Sequence, residues 1–545
     1  MYLMTPDQKI KSIVIVGGGT AGWLTAGIIA AEHSANGSEI NDLVDVQITL
    51  VESPDIPTIG VGEGTWPSMK STLQKMGISE TDLIRECDAS FKQGTLFNGW
   101  KTGGNDAYTH PFTPPHSYAS TNLAPQWHKF RNQVSFADAV SSQNALMFQG
   151  LAPKQISTPE YAFNANYGYH LDAGKFAELL RKHCVEKLGI THLKANVIAI
   201  NSSADGDIES LKTDTEENIA GDLFVDCSGS KALLLGEHFD IPFCSKSQFL
   251  FNDTALASQV PYTNSDDPIA SSTLSTAQTS GWIWDIGLPT RRGIGHVYSS
   301  AHTTEDRASE ELLAYIKTTV SVEAASSTSI RKVAFNPGHR AKFWHKNCVA
   351  VGMSAGFIEP LEASALVLVE LSAAMIAEQL PANRQVMDLV AKRFNNKFLY
   401  RWDRIIDFLK LHYILSQRED SDYWKDNSAA SSIPESLSEL VDLWRWQSPW
   451  HRDTGHIDEM FPSASFQYVL YGMGFETQSS TTVRQSDREA HSAAEGLFRE
   501  NKERTKKLLA SMPTNRELID ETLPGSWKQA MIRRIPNKET FYTTY

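Results

Sequence analysis

Apolar and polar positions along the chain change their period several times, and each change marks an element. Ile13 to Val16 is an unbroken, β-branched apolar run, the pattern of a parallel strand buried on both faces. A second strand is expected over Val46 to Val51 and ends at Glu52. Between them, Gly17 to Gly22 reads GGGTAG and leads into an apolar helical stretch. Pro54 to Pro67 is too rich in glycine and proline for regular structure and predicts a loop. From Ser68 to Phe97, the spacing of Met69, Leu73, Met76, Leu83 and Ile84 predicts helix, which would carry Lys92. Lys101 to Ile156 mixes Pro, His, Asn and Ser with dispersed rings, among them Tyr108, His110, Phe112, His116, Tyr118, Trp127 and His128. Long irregular stretches of this kind inside compact proteins are usually functional.

Further on, Gly168 to Cys184 contains an amphipathic helix with Phe176, Leu179 and Leu180 on one face. Alternating strands follow, with a turn at Asp205-Gly206, and then DLFVDCSGS, Asp222 to Ser230, a hydrophobic strand ending in a turn. In GWIWDIGLP, Gly281 to Pro289, a strand would put Trp282 and Trp284 on the same face, two adjacent indoles on one wall. Ala363 to Leu380 is the longest apolar region, but Glu370 and Glu378 make it a buried helix and not a membrane span. Beyond Arg384 the chain reads helical and polar, with a long helix over RFNNKFLYRWDRIIDFLKLHYILSQRED. Trp444, Trp446 and Trp450 are expected in the core, and Thr477 to Tyr545 as a solvated tail domain.

Composition narrows the classes. With 545 residues, 41% hydrophobic and 21% charged, this is a globular chain of about two to four structural units. A formal net charge of −14 disfavours nucleic acid, whose phosphates need concentrated Lys and Arg. Met1 to Gln8 is too short and polar for a signal peptide, so a cytoplasmic protein is expected. Cys87, Cys184, Cys227, Cys244 and Cys348 lack paired metal-ligand spacing and are expected as core thiols in a reducing compartment.

The glycine turn carries the first chemistry. Gly17, Gly19 and Gly22 fill the G-x-G-x-x-G positions: tight turn, close approach to a pyrophosphate, close packing of helix on strand. The helix that follows points unpaired N–H groups at that phosphate, and Glu52 stands where an acid accepts from a ribose hydroxyl. The strand ending at Asp226 resembles the returning strand of FAD-dependent monooxygenase-like enzymes, which would bring Asp226 and Gly229 beside the dinucleotide.

Trp282, Trp284 and Ile286 then resemble the W-x-W-x-I-P signature of the flavin-dependent halogenases of the tryptophan-halogenase family, with Gly287 at the proline position. VAVGMSAGFIEPLEAS, Val349 to Ser364, is similar to the family's second flavin motif and its active-site segment. The resemblance spans Ile13 to about Met473. It implies an α/β FAD-binding module over 1–383, of the glutathione-reductase and monooxygenase type, with a substrate-facing irregular insertion near 98–156. A mainly helical substrate-side module would follow over 384–545. FAD, acting as FADH2, would be held by Gly17, Gly19, Thr20, Ala21, Gly22, Glu52, Val197, Asp226 and Met353. Lys92 and Glu362 match the catalytic pair, Ser364 and Ala365 the halide site, His110 and Phe112 the substrate pocket, and Trp282, Trp284 and Ile286 the partition.

The chemistry so implied starts when reduced flavin and oxygen form a C4a-hydroperoxide. Only a small halide, chloride or bromide, would pass the indole wall to reach it, giving hypohalous acid. Lys92 would capture that product by hydrogen bond or as a haloamine, which needs the neutral amine that burial favours. Glu362 would polarise the halogenating species or take the proton lost from the ring; a capping carboxylate is its structural alternative. The lid that closes over free tryptophan in the tryptophan-specific members is not identifiable between His412 and Phe461. The substrate expected is therefore an indole or other electron-rich aromatic, free or carrier-presented. A separate flavin reductase would supply FADH2, with monomer and homodimer both open. The rivals are an aromatic hydroxylase of the same fold and a flavin-fold binding protein without redox chemistry.

Overall fold

The computed structural model describes residues 9–33, 46–56, 62–215, 218–453, 455, 459–478 and 485–523. Its centre is a six-stranded sheet in the order Trp344–His345, Cys348–Ala350, Leu223–Asp226, Ser12–Val16, Gln47–Glu52, Thr191–Lys194. Ser12–Val16 runs parallel to both neighbours, with Ile13 opposite Leu223 on one side and Ile48 on the other. Helices cover it: Thr20–His33 packs against Ala173–Glu186 and against Ser364–Glu378. This confirms the α/β class, and it explains why Ile13 to Val16 carries no polar alternation.

Ser364–Glu378 is the buried helix expected from its apolar run. Its Glu370 accepts from Thr72 Oγ1 at 2.6 Å and Ser68 Oγ at 3.1 Å. Burial pushes that carboxyl up to about 7, against the pull of the two hydroxyls. Among the described residues no helix is long and apolar enough to cross a membrane.

A second sheet of seven strands runs Arg331–Ala334, Thr254–Pro261, Arg291–Tyr298, Gly281–Gly287, Thr273–Gln278, Gly94–Asn98, Ala107–Pro111. A third, small sheet pairs Ser90–Lys92 and Gly62–Gly64 with the two edges of Gly168–Asp172. Both sheets correct the sequence reading. The helical pattern from Ser68 breaks into Met69–Met76 and Glu80–Glu86, separated by Gly77 at φ 78°. It then stops at Asp88, whose φ of 46° no helix continues. Lys92 is thus on a strand. The Pro54 to Pro67 loop holds the strand Gly62–Gly64, while residues 57–61 lie outside the described residues.

The irregular segment Lys101 to Ile156 contains the strand Ala107–Pro111 and the short helices Ala124–Trp127, Phe136–Val140 and Ser142–Phe148. These are too short to impose a readable period. The long C-terminal helix spans Arg384–Ile414 and stops before Ser416. Trp444 is buried as expected, but Trp446 is 62% exposed and Trp450 half-buried, and Cys244 is half-buried where the other four thiols are buried.

The expected solvated tail is also corrected. Gln485–Ser511 packs on Ser142–Phe148, and Asn515, fully buried, donates to the carbonyls of Phe91 at 3.1 Å and Ala270 at 3.2 Å. These residues brace the Lys92 strand from behind. Residues 524–545 lie outside the described residues.

A Cβ on Gly22 would sit 1.9 Å from the Gly17 carbonyl oxygen, whereas one on Gly19 meets nothing within 4 Å. Gly22→Ala is therefore expected to cost about 1–3 kcal/mol. Gly19→Ala should leave stability unchanged, and thermal unfolding of the flavin-free variants checks both.

Candidate active site

Three turns meet at the carboxyl ends of parallel strands, the place where open α/β sheets bind ligands. The first is Gly17 to Gly22. Gly17 takes φ 122°, and a Cβ there would lie 2.2 Å from the Cys227 carbonyl oxygen. The second follows Asp226 and the third, Gly352–Ser354, follows Cys348–Ala350. Ser354 Oγ ties the last two together, donating to Asp226 at 3.1 Å and to the Gly229 carbonyl at 3.0 Å. Ala21 packs under the third turn, where its Cβ would stand 2.8 Å from one on Gly352.

A dinucleotide fits this arrangement. Gly19 and Gly229 leave open space where a side chain would stand, Thr20 and Ala21 begin a helix with half-buried backbone, and Met353 is 38% exposed beside them. Glu52 presents its carboxylate at the end of the second strand, held by His192 Nε2 at 2.7 Å and pressed against Gly18. Val197 is half-buried at the start of Val197–Ser202. Asp226 has a different part: it is fully buried, and its oxygens accept from the Leu234 and Leu235 amides at 2.9 and 2.8 Å and from Ser228 Oγ at 2.6 Å. It shapes the second turn from within.

The predicted catalytic pair is buried together. Lys92 is 1% exposed and Glu362 4%. A Cβ on Gly64 would lie 3.0 Å from Lys92 Nζ and 3.3 Å from the Cβ of Ala363, so the amine reaches the segment that carries Glu362. Burial lowers the Lys92 amine to about 8, against the charges of Glu362 and Glu63, which favour the ammonium. The half-buried Glu63 is itself pushed up to about 7 by burial, opposed by Lys92. Lys92 Nζ stands 5.4 Å from the centre of the Phe112 ring.

Along the strand Ala107–Pro111, side chains alternate, so Tyr108 and His110 share a face that Phe112 continues. His110 Nδ1 lies 3.0 Å from Glu362 Oε1, and His412 Nε2 lies 3.2 Å from the same oxygen. Tyr108 OH meets His412 Nδ1 at 2.6 Å, and His110 Nε2 meets Ser465 Oγ at 2.8 Å. Burial opposes the Glu362 carboxylate, but the two imidazoles that face it, His110 first, outweigh it and hold the carboxyl at about 2. The sequence reading missed His412 and Ser465. A histidine inside the apolar run IIDFLKLHYIL was the available signal for the first; Ser465 offered none.

Glu362 caps no helix. Trp66 Nε1 donates to its backbone carbonyl at 2.8 Å, Ala363 turns the chain at φ 53°, and Ser364–Glu378 begins without a side-chain cap. Ser364 is buried and Ala365 exposed at that helix start, where backbone amides favour an anion.

Trp282, Trp284 and Ile286 lie on Gly281–Gly287, all buried, the two indoles 6.4 Å apart at 63°. Trp282 Nε1 donates to Glu359 Oε2 at 2.7 Å, an oxygen that also accepts from Asn252 and Tyr413 at 2.7 Å each. Trp284 packs against Gly295, where a Cβ would meet its ring at 2.2 Å. The wall is fixed from both sides.

The tryptophan halogenase family profile matches residues 12–488. The chain is 31% identical over 540 residues to tryptophan 7-halogenase KtzQ of Kutzneria sp. (strain 744), covering 93% of this chain and 97% of that one. A crystal structure of a tryptophan halogenase from Shewanella frigidimarina NCIMB 400 superposes with a TM-score of 0.91 at 52% identity, over 95% of this chain and 98% of that one. BrvH, a flavin-dependent halogenase from Brevundimonas sp. BAL3, superposes with a TM-score of 0.82 at 31% identity, over 95% and 100%.

His412→Phe removes one of the two imidazoles facing Glu362 and is expected to lower stability at pH 7 by about 1–3 kcal/mol. The depressed Glu362 pKa contributes stability above the unfolded carboxyl value, and that contribution fades as pH falls from about 4.5 toward 2. Burial also lowers the His412 pKa, so the wild type alone bears the cost of a neutral buried imidazole in acid. Both effects have one sign: the gap between wild type and variant should narrow on acidification, as chemical denaturation at pH 7 and pH 4 would read.

Proposed function

The chain belongs to the tryptophan halogenase family and is a flavin-dependent halogenase, an oxidoreductase; we propose that it halogenates an electron-rich, indole-type aromatic using FADH2, oxygen and chloride or bromide. The observation that carries the reading is the burial of Lys92 with Glu362, beside the Phe112 ring, at a point where the amine is easily neutral.

FADH2 with oxygen, bound at the three turns, supplies the two-electron oxidation that converts halide into an electrophilic halogen equivalent. Every other task falls to the chain. Gly17, Gly19, Thr20, Ala21 and Gly22 would receive the pyrophosphate, Glu52 the ribose, and Val197 and Met353 would flank the cofactor. The amides of Ser364 and Ala365 would hold the halide. Trp282, Trp284 and Ile286 would keep the aromatic ring away from the oxidising centre, so that only the small hypohalous acid crosses.

Lys92 would take the halogen at Nζ, by hydrogen bond or as an N–X bond, and present it to a ring resting against His110 and Phe112. The sum balances as one aromatic C–H, one halide, one oxygen molecule, one FADH2 and one proton giving C–X, FAD and two waters. A separate flavin reductase would deliver the reduced cofactor, and the modules 1–383 and 384–545 would divide cofactor from substrate.

Mass spectrometry of indole incubated with the protein, FAD, a flavin reductase, NADH, oxygen and bromide or chloride tests this. A halogen isotope pattern that disappears in Lys92→Ala is expected. A halide-independent gain of one oxygen would move the protein to the hydroxylases.

A further inference from the structure

Both nitrogens of His110 are engaged, on opposite sides of the ring: Nδ1 with Glu362 Oε1 at 3.0 Å and Nε2 with Ser465 Oγ at 2.8 Å. An ionised carboxylate can only accept, so Nδ1 carries the proton and donates. When the ring is neutral, its other nitrogen presents a lone pair, to which the Ser465 hydroxyl donates.

His412 is fixed by the same logic. The Tyr108 phenol, whose pKa burial raises, donates to Nδ1 at 2.6 Å. The ring proton of His412 therefore sits on Nε2, 3.2 Å from Glu362 Oε1. Glu362 is the anionic anchor of two imidazoles. Its carboxyl, held at about 2, makes a weak proton acceptor.

Attack of an aromatic ring on the halogen at Lys92 leaves a cationic ring carbon bearing both X and H, and that proton must go to a base. His110 stands on the strand face that Phe112 continues, and the Phe112 ring lies beneath Lys92 Nζ at 5.4 Å. The dyad of carboxylate and imidazole points its lone pair away from Glu362, toward the buried Ser465 in the first turn of Ser463–Gly472.

We propose that His110, oriented by Glu362, is the catalytic base that removes the ring proton at Nε2, with Ser465 holding that lone pair in place until the substrate displaces it. The C–H bond breaks, its electron pair restores the aromatic ring, and the proton forms the Nε2–H bond of an imidazolium beside the Glu362 carboxylate. No oxidant is needed beyond the halogen equivalent already delivered. This assignment rests on the halogenase reading above.

The test compares single-turnover rates of the wild type, His110→Asn and Glu362→Gln on indole and on ring-perdeuterated indole, with flavin binding followed by fluorescence to report folding. In the wild type, proton loss is fast and the two substrates react alike. In His110→Asn, haloindole formation should fall about 10²–10⁴-fold and acquire a primary isotope effect, because proton loss becomes limiting. Glu362→Gln keeps the imidazole and should show a smaller isotope effect.

A larger isotope effect in Glu362→Gln than in His110→Asn would give the base role to Glu362 and overturn the proposal. So would haloindole formation by His110→Asn with no isotope effect. If His110→Asn fails to bind flavin, His110→Gln carries the same comparison. A wild type that yields no haloindole with either halide would fail the indole-substrate reading on which this assignment rests, and the assignment with it.

Discussion

A lysine enclosed beside an ionised glutamate is the constraint on which the rest of the site depends. Low-dielectric surroundings disfavour the ammonium, and the neighbouring carboxylate favours it; for Lys92 burial outweighs the charge, and the amine settles near 8. That balance requires Glu362 to stay ionised while itself buried, which a lone carboxylate would not do. Two imidazoles on one of its oxygens supply the compensation. They in turn are fixed by Tyr108 and Ser465, from distant parts of the chain.

The scaffold explains how such a cluster is held. Lys92 comes from a three-residue strand pinned between Gly168–Asp172 and the buried Asn515. His110 comes from the edge of the seven-stranded sheet, Glu362 from a turn at the foot of a buried helix, and His412 from a 31-residue helix. No two of these elements are adjacent in sequence, so the chemistry exists only in the folded chain. The same distribution separates the amine from the three turns suited to a dinucleotide, which belong to the six-stranded sheet.

The nucleotide turn was legible because its glycines answer to local demands: Gly17 and Gly22 cannot carry a Cβ, and the strand before them shows an uninterrupted apolar run from Ile13 to Val16. Trp282 and Trp284 were legible through the alternation of a strand. The surroundings of Lys92 were not, because Ser90–Lys92 is buried on both sides and three residues long, leaving no period to read. The packing of Asn515 was hidden for a related reason: a polar residue buried against backbone carbonyls looks, in sequence, like one bound for solvent. His412 required knowing that Tyr108 and Glu362 would both meet it.

The most direct measurement is the pH dependence of Lys92 carbamylation by isocyanic acid, a reagent as small as hypohalous acid, followed by peptide mass spectrometry with surface lysines of the same sample as reference. The account predicts that Lys92 reacts through its neutral amine with a midpoint near pH 8, well below the value of about 10.4 for a solvated lysine. A Lys92 profile that rises only with the surface lysines, or no modification at any pH, would contradict it.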